Sequence, residues 1–261
     1  MISPLAYVDP SAKLGQNVTV HPFAYIDADV EIGDNCEIMP YTSIIRGTRM
    51  GSGNKIYNGS IIGADPQDFR WKGEKSYCII GNDNTIREKV LINRSIREGE
   101  ATVIGNGICI MADSHIGHDA NIADHCVIGN RATLAGNTTV GECSILSSGV
   151  ILHEGSRLGP WTLIKGGCRI AGNVPPYVIM AHNPAVYFGV NAVVLRKGRF
   201  SDEEIDDVAK VYRHIYQSGT SVFNALKRIE SDVPQSKVRD NIIDFVRGSN
   251  LKIVAVPREF E

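Results

Sequence analysis

An aliphatic side chain recurs every six residues along most of the chain, which predicts a mainly β protein, a left-handed parallel β-helix of hexapeptide repeats. Between positions 8 and 170, 25 of the 28 slots spaced six apart hold Ile, Leu, Val or Met. Random placement at the overall hydrophobic frequency of 43% would fill about 12 of them. A helical pattern after position 200 adds a small C-terminal α-helical domain to the predicted fold.

A period of six matches neither the 3.6-residue repeat of a helix nor the two-residue alternation of a strand. It suits a chain that turns a corner after every six residues, with one aliphatic side chain per side pointing inward. Three sides then make a coil of about 18 residues, and stacked coils bury a column of aliphatic side chains that a single coil would expose. Gly directly follows ten of the 25 aliphatic residues, where it eases the corner.

Three slots break the pattern, and they are occupied by Asp68, Glu74 and Glu98. They fall in polar stretches, so we expect residues 63–79 and 93–103 to leave the scaffold as excursion loops. Loops of this kind often carry binding groups. A simple solvated excursion is the alternative interpretation of each stretch.

The hexad pattern ends after Ile170, and two prolines follow shortly afterwards. We therefore divide the sequence into a β-helix over residues 1–184 and an α-helical domain over residues 185–261. Since the second part is too short for a large core of its own, we expect it to cap the β-helix.

Helical spacing in the C-terminal part begins at a capping box formed by Ser201 and Glu204. The first long helix is predicted from there to Gly219, because glycine commonly follows a helix end. Two further helices are expected near residues 220–231 and 236–247.

Composition restricts the class of protein. The net charge of −2 over 261 residues argues against a protein that coats nucleic acid. No apolar run reaches the roughly 20 residues that span a bilayer, and the N-terminus lacks the order of a signal peptide. The six cysteines form no CxxC pair, which favours reduced thiols over a metal or disulfide set. We therefore predict a cytoplasmic protein without stable membrane insertion.

Two histidines and an acid surround one inward-facing isoleucine in the segment from His115 to Asp119. The outward slots of His115, His118 and Asp119 place them on the prism surface. One coil of 18 residues beyond His118 lies Gly136, and one coil beyond Asp119 lies Asn137. His153 follows close to the same column, one coil after Ala135.

This column contains the groups that acyl transfer needs. A histidine such as His118 accepts a hydroxyl proton near neutral pH. A neighbouring carboxylate, here Asp119, fixes the imidazole tautomer and stabilises the imidazolium. The backbone N–H of Gly136, which no Cβ shields, is suited to a thioester oxyanion.

The chain resembles the UDP-N-acetylglucosamine O-acyltransferases, the first enzymes of lipid A synthesis, over nearly its whole length. Beyond the hexads, an ordered set of motifs carries the resemblance: Asp65-Pro66-Gln67-Asp68, His115-Ile116-Gly117-His118-Asp119, Leu134-Ala135-Gly136, Val174-Pro175-Pro176-Tyr177 and Phe188-Gly189-Val190-Asn191.

The resemblance implies that His118 is the general base for the glucosamine 3-hydroxyl, that Asp119 orients it and that the Gly136 N–H holds the oxyanion. The donor would be a 3-hydroxyacyl chain on the phosphopantetheine of acyl carrier protein, with no other cofactor and no metal. The family forms homotrimers with active sites between neighbouring β-helices, an arrangement that suits threefold symmetry.

The resemblance also assigns substrate-binding positions. Those matching the sugar-nucleotide loop, the supporting residues of the cleft, the acyl groove and the uracil and phosphate region are Gln67, Asp68, Arg70, His115, Asn137, His153, Gly166, Asn191, Arg196, Lys197 and Arg199. Because a glycine at 166 leaves the groove open, and each buried methylene contributes about 0.8 kcal/mol, we expect a long chain of about 14 carbons or more. The chain departs from the family pattern at Asn93 and Asn137, where histidines are usual, and at Val193, which replaces an acidic residue.

Three alternatives share the hexads. A related N-acyltransferase of the same pathway normally carries an extra N-terminal domain, whereas the hexads here begin at Val8. A β-helix carbonic anhydrase needs three zinc histidines, which His115, His118 and His125 match poorly in spacing. A purely structural β-helix has no need of the histidine column. Basic residues of the helical domain form a possible docking strip for an acidic carrier protein: Lys210, Arg213, Lys227 and Arg228.

Overall fold

Three β-sheets, parallel except at the last strand of the third, form the walls of a left-handed β-helix in the computed structural model, which describes residues 1–255. The first sheet has nine strands: β1 Tyr7–Val8, β4 Tyr25–Ile26, β7 Ser43–Ile44, β10 Ile61–Ala64, β13 Leu91–Asn93, β16 His115–Ile116, β19 Thr133–Leu134, β22 Ile151–Leu152 and β25 Arg169–Ile170. The second has eight: β2 Lys13–Leu14, β5 Glu31–Ile32, β8 Thr48–Met50, β11 Tyr77–Ile80, β14 Ala101–Ile104, β17 Asn121–Ile122, β20 Thr139–Val140 and β23 Arg157–Leu158. The third has ten: β3 Thr19–Val20, β6 Glu37–Ile38, β9 Lys55–Ile56, β12 Thr85–Ile86, β15 Cys109–Ile110, β18 Val127–Ile128, β21 Ile145–Leu146, β24 Leu163–Ile164, β26 Val178–Ala181 and β27 Val186–Val190.

The aliphatic residue of each hexad closes its strand and points into the prism. Strands pair in register one coil apart, as Ile26 does with Ile44 and Ile116 with Leu134. Most of these side chains are fully buried, and burial of each contributes roughly 1.5–3 kcal/mol. The predicted fold class is therefore confirmed, and the stacked column is its main source of stability.

Two excursions lengthen individual coils. Met50 pairs with Ile80, and Ile80 pairs with Ile104. These partners are 30 and 24 residues apart, whereas partners elsewhere in the β-helix are usually 18 residues apart. The segments outside the strands are residues 65–76 and 94–100. They are shorter than the sequence pattern suggests because the flanking strands extend to three or four residues and pair with one another.

Two corners of the prism differ in how they satisfy their polar groups. At the corner between the second and third sheets, here called the ladder corner, five successive side-chain oxygens each accept a backbone N–H from the coil before: Asp34, Ser52, Asn82, Asn106 and Asp124. Beneath them, the buried Asn54 and Asn84 each accept a backbone N–H from the next coil. Asn54 donates to carbonyls of its own coil and the next, and Asn84 donates to the Gly105 carbonyl of the next coil.

The corner between the first and second sheets, here called the histidine corner, carries His118, Gly136 and Glu154 in successive coils, with both excursions beside it. The regular pairing of coils continues through it, since the Asn137 N–H donates to the His118 carbonyl oxygen at 2.8 Å. Its side chains, in contrast to those of the ladder corner, do not repeat.

Four helices follow the β-helix: α1 Ala192–Lys197, α2 Asp202–Tyr216, α3 Val222–Asp232 and α4 Lys237–Arg247. The capping box predicted at Ser201 and Glu204 is present, and the three longer helices are confirmed. The first of them ends at Tyr216, before Gly219, while α1 was not predicted. No helix among residues 1–255 is long and apolar enough to cross a membrane.

The join between the two parts is continuous. Strand β27 pairs antiparallel with β26, and Ile253 returns to bridge Asn173 beneath the last coil. The division after residue 184 falls between β26 and β27 and stays a prediction. Residues 256–261, which the sequence assigns to the helical part, lie outside the described residues.

Candidate active site

His118 stands at the histidine corner directly after β16, held between two carboxylates. Its Nδ1 lies 2.7 Å from Asp119 Oδ2, and its Nε2 lies 3.2 Å from Asp68 Oδ2. The side chains of His118 and Asp119 are only 9% and 3% exposed. Both side chains lie on the outer side of the prism wall, and they are buried because the excursions fold over this corner.

The second excursion holds Asp119 in place through hydrogen bonds to its carboxylate. Its Oδ1 accepts hydrogen bonds from Ser95 Oγ and, at 3.2 Å, from Arg97 Nε, while Oδ2 faces the Ile96 N–H at 3.5 Å. Burial by itself raises the pKa of Asp119. Hydrogen bonds from Ser95 and His118, with the charge of Arg97, outweigh it and hold the pKa below its ordinary value. The carboxylate is therefore ionised at neutral pH and accepts the Nδ1–H of His118.

Gly136 packs directly against the imidazole of His118. A Cβ at this position would overlap the ring atoms Cε1 and Nε2, so any larger residue displaces the base. Within residues 1–255 no acceptor takes the Gly136 N–H. The 18-residue register predicted from the sequence thus places a free backbone donor beside the base.

The first excursion brings Asp68 and Arg70 to the site. Arg70 grips the Asp68 carboxylate with both Nε and Nη2 at 2.6–3.1 Å and reaches Glu154 Oε1 at 2.7 Å. The hydrogen bonds and charge of Arg70 hold the pKa of Asp68 well below its usual range. Glu154 lies one coil beyond Gly136, so the bond from Arg70 connects the first excursion to the coil next to Gly136.

The remaining predicted members of this cluster occupy two different settings. His115 Nε2 lies 2.7 Å from Asn93 Oδ1, and burial lowers the pKa of His115, with a smaller contribution from His118. Asn137 is exposed and accepts from Arg97 Nη2 at 3.3 Å. His153 is exposed one coil higher.

Other predicted binding residues lie away from His118 within one chain. Gln67 is exposed on the loop, and Gly166 is exposed near the end of the β-helix, with the Ser148 carbonyl oxygen 3.1 Å from a Cβ built there. Asn191 is buried at the start of α1 and donates to the Trp161 carbonyl at 2.9 Å.

The basic run is exposed on and after α1. Arg196 pairs with Asp202 at 3.0 Å, and Lys197 and Arg199 face solvent. Val193 is 67% exposed beside them. No hydrogen bond or ion pair among the described residues connects this run to His118.

The three histidines that the zinc alternative requires do not lie together within the chain. His125 lies at the ladder corner, where its ring covers Gly107, whereas His115 and His118 lie beside the histidine corner. Among residues 1–255 no group of three His, Cys, Asp or Glu side chains converges as a metal site would require.

Sequence reasoning missed the side chains through which the loops act. Ser95, Arg97 and Glu154 were not predicted, and Asn93 was noted only as a departure from the family pattern. Their sole sequence signal was the break in the hexad period, which marks where loops leave the scaffold without showing which side chains return to it.

Three family models match this chain. Residues 173–254 match the second domain of UDP-N-acetylglucosamine O-acyltransferase. Residues 101–136 match the bacterial transferase hexapeptide repeat, and residues 2–99 match the GMPPB C-terminal domain.

Whole-chain similarity is more specific. An acyl-[acyl-carrier-protein]–UDP-N-acetylglucosamine O-acyltransferase of Stutzerimonas stutzeri is 38% identical over 95% of this chain and 98% of its own length. The homologue of Ectopseudomonas mendocina is 39% identical over the same shares.

Solved structures agree. A UDP-N-acetylglucosamine acyltransferase from Bacteroides fragilis is 44% identical, with a TM-score of 0.95 and coverage of 97% of this chain and 100% of that one. The Francisella novicida enzyme is 32% identical, with a TM-score of 0.94 and coverage of 99% and 95%. The chain therefore belongs to the family of acyl-[acyl-carrier-protein]–UDP-N-acetylglucosamine O-acyltransferases.

Proposed function

We propose that the protein transfers a 3-hydroxyacyl chain from acyl carrier protein to the 3-hydroxyl of UDP-N-acetylglucosamine, the first step of lipid A biosynthesis, in the cytoplasm. The observation that carries this proposal is the stack of His118 on Asp119 beneath the free N–H of Gly136. Family membership supplies the identity of the two substrates.

The proposed reaction begins at the imidazole. Because ionised Asp119 accepts the Nδ1–H, the lone pair of His118 lies on Nε2. Nε2 takes the proton of the sugar 3-hydroxyl as its oxygen attacks the thioester carbonyl carbon. The Gly136 N–H stabilises the tetrahedral oxyanion. When the intermediate collapses, the C–S bond breaks and the imidazolium returns the proton to the departing phosphopantetheine sulfur.

Asp68 occupies the position that the sugar hydroxyl needs, 3.2 Å from Nε2. His118 can act as the base only when Nε2 carries no hydrogen and faces the hydroxyl, so this contact with Asp68 must open before the reaction begins. We infer that the incoming sugar separates the two, with its 3-hydroxyl on His118 and other hydroxyls on Asp68. This is how the excursion contributes to acceptor binding.

A homotrimer would complete the site. Within residues 1–255 no hydrogen bond or ion pair joins His118 to the remaining predicted binding residues, and a threefold neighbour would supply them to the cleft: Gly166, Asn191, Arg196, Lys197 and Arg199. Arg guanidinium groups suit a diphosphate because of their forked donors. The acidic carrier protein would dock on basic residues of α2 and α3: Lys210, Arg213, Lys227 and Arg228.

The test is an assay with 3-hydroxyacyl carrier protein and UDP-N-acetylglucosamine. His118→Ala should abolish product formation while the far-UV circular dichroism and the oligomeric mass stay unchanged. His125→Ala is the matched control, since it removes an imidazole from the ladder corner, and it should keep wild-type turnover. A fully active His118→Ala enzyme would refute the mechanism.

Acyl length is tested separately. The open position at Gly166 predicts that donors of about 14 carbons or more have higher kcat/KM than donors of about ten carbons, because the groove buries the added methylenes. Competition between the two donors in one reaction measures the ratio directly. Preference for the shorter donor would contradict the prediction.

A further inference from the structure

His115 and His118 are three residues apart, yet they are held through opposite ring nitrogens. His118 is held at Nδ1 by the carboxylate Asp119, whereas His115 is held at Nε2 by the amide of Asn93. The nitrogen that is held decides which nitrogen is left for a ligand, so the two imidazoles present different chemistry to the same cleft.

The orientation of the Asn93 amide follows from its second partner. Asn93 is 1% exposed, and its Nδ2 lies 2.6 Å from the carbonyl oxygen of Asp65, at the base of the first excursion. A carbonyl oxygen only accepts hydrogen bonds, so the NH2 group must face Asp65 and Oδ1 must face His115. Rotating the amide would set two oxygens against each other in a buried position.

The Asn93 oxygen in turn requires a hydrogen on His115 Nε2, since the two atoms lie 2.7 Å apart. Burial lowers the pKa of His115, and the nearby His118 lowers it further, so the neutral imidazole dominates at neutral pH. A neutral imidazole has a single N–H. Nδ1 is then a bare lone pair, and no donor among residues 1–255 satisfies it.

We propose that Asn93 is a positioning residue that fixes His115 as its Nε2–H tautomer, so that Nδ1 accepts a hydrogen bond from an uncharged donor of the bound substrates. This proposal rests on the proposed function for the identity of those substrates. The donor is a hydroxyl or an amide N–H, because a lone pair repels the oxygens of a phosphate. His115 therefore does not contact the diphosphate.

Three sources of this chemistry are present in the reaction: the 3-hydroxyl of the acyl chain, the hydroxyls of the sugar, and the amide groups of the sugar acetamide and pantetheine. The titratable groups around His115 belong to two clusters. One is His118 with its carboxylate partners Asp68 and Asp119, and the other is the ion pair of Asp65 with Arg94. Asn93 is the group that touches the imidazole directly.

The tautomer is read without any assay, by ¹⁵N NMR of protein labelled at histidine, where protonated and bare ring nitrogens have widely separated shifts. The His115 signals are identified by their loss in His115→Gln. At neutral pH we expect a protonated Nε2 and a bare Nδ1. A bare Nε2, or a ring protonated at both nitrogens, would overturn the proposal even if the enzyme makes the expected product.

Asn93→Asp provides the functional test. A carboxylate against Nε2 favours the imidazolium, so Nδ1 gains a hydrogen and becomes a donor. We expect kcat/KM to fall at least tenfold at neutral pH and to recover partly at higher pH as the ring loses that proton. Asn121→Asp is the matched control: it adds the same charge at an exposed position of β17 and should leave kcat/KM and the His115 signals near wild type.

The source of the donor is found by comparing carriers loaded with 3-hydroxyacyl chains and with chains lacking that hydroxyl. If Nδ1 accepts the 3-hydroxyl, His115→Gln lowers the preference for the hydroxylated chain. If it accepts a sugar hydroxyl or an amide N–H, the preference stays and the KM for UDP-N-acetylglucosamine or for the carrier rises. A His115→Gln enzyme with unchanged kcat, KM and preference would contradict the proposed contact.

Discussion

The ladder corner and the histidine corner are built from the same hexad, and they differ in what satisfies their polar groups. At the ladder corner each side-chain oxygen accepts a backbone N–H from the neighbouring coil, so the repeat satisfies itself. At the histidine corner the partners of Asp119 and His118 come from the excursions, and the Gly136 N–H is left free. The reactive groups thus lie where the repeat does not satisfy itself.

This difference predicts that a glycine substitution at the histidine corner lowers activity, whereas one at the ladder corner lowers stability. The three atoms nearest to a Cβ on Gly136 all belong to the His118 ring, whereas a Cβ on Gly105 meets the ladder oxygen Asp124 Oδ1 and the backbone of Asp124 and Ala123. Gly136→Ala should therefore lower kcat/KM at least about 100-fold, the range for a disturbed oxyanion donor, with little change in Tm. Gly105→Ala should lower Tm and leave kcat of the folded enzyme near wild type. Kinetics and thermal unfolding on both variants decide this, and a stable, active Gly136→Ala enzyme would refute the comparison.

The buried asparagines of the ladder corner test its structural role. Asn54→Leu leaves the Asn84 N–H and the Gly81 carbonyl without a partner, and it removes one of the two donors to the Gly51 carbonyl, which keeps Cys36 Sγ. Since each buried unsatisfied group costs about 1–3 kcal/mol, we expect the free energy of unfolding to fall by about 3 kcal/mol or more. Urea denaturation measures it. A loss of kcat without a loss of stability would show that the ladder corner is not purely structural.

Ser95 tests the loop contribution to the histidine corner. Because its hydrogen bond lowers the pKa of Asp119, the bond stabilises the fold at neutral pH, above the ordinary carboxyl pKa, and stops doing so as Asp119 protonates in acid. Ser95→Ala should lower the free energy of unfolding by about 1.5–3 kcal/mol at pH 7, and the difference from wild type should shrink with acidification. Denaturation at several pH values shows the trend; a difference that is constant with pH would contradict this assignment.

Particular residues show how far the sequence carried the prediction of the site. The stack of Gly136 on His118 follows from adding 18 to a residue number, because every coil without an excursion has the same length and pairs in register with the next. The contact of Arg70 with Glu154 joins residues 84 positions apart through a loop of no fixed period. No pattern in the chain encodes that distance.

The sequence by itself determined the β-helix, the three long helices and the column of His118, Asp119 and Gly136, since each depends on local periodicity. Only the tertiary structure decided that the base is buried, that Asp68 faces its Nε2, and that Asn93 holds His115 by the opposite nitrogen. Those arrangements depend on how two excursions fold back onto one corner. They are set by packing between segments that do not repeat, where local spacing carries no information.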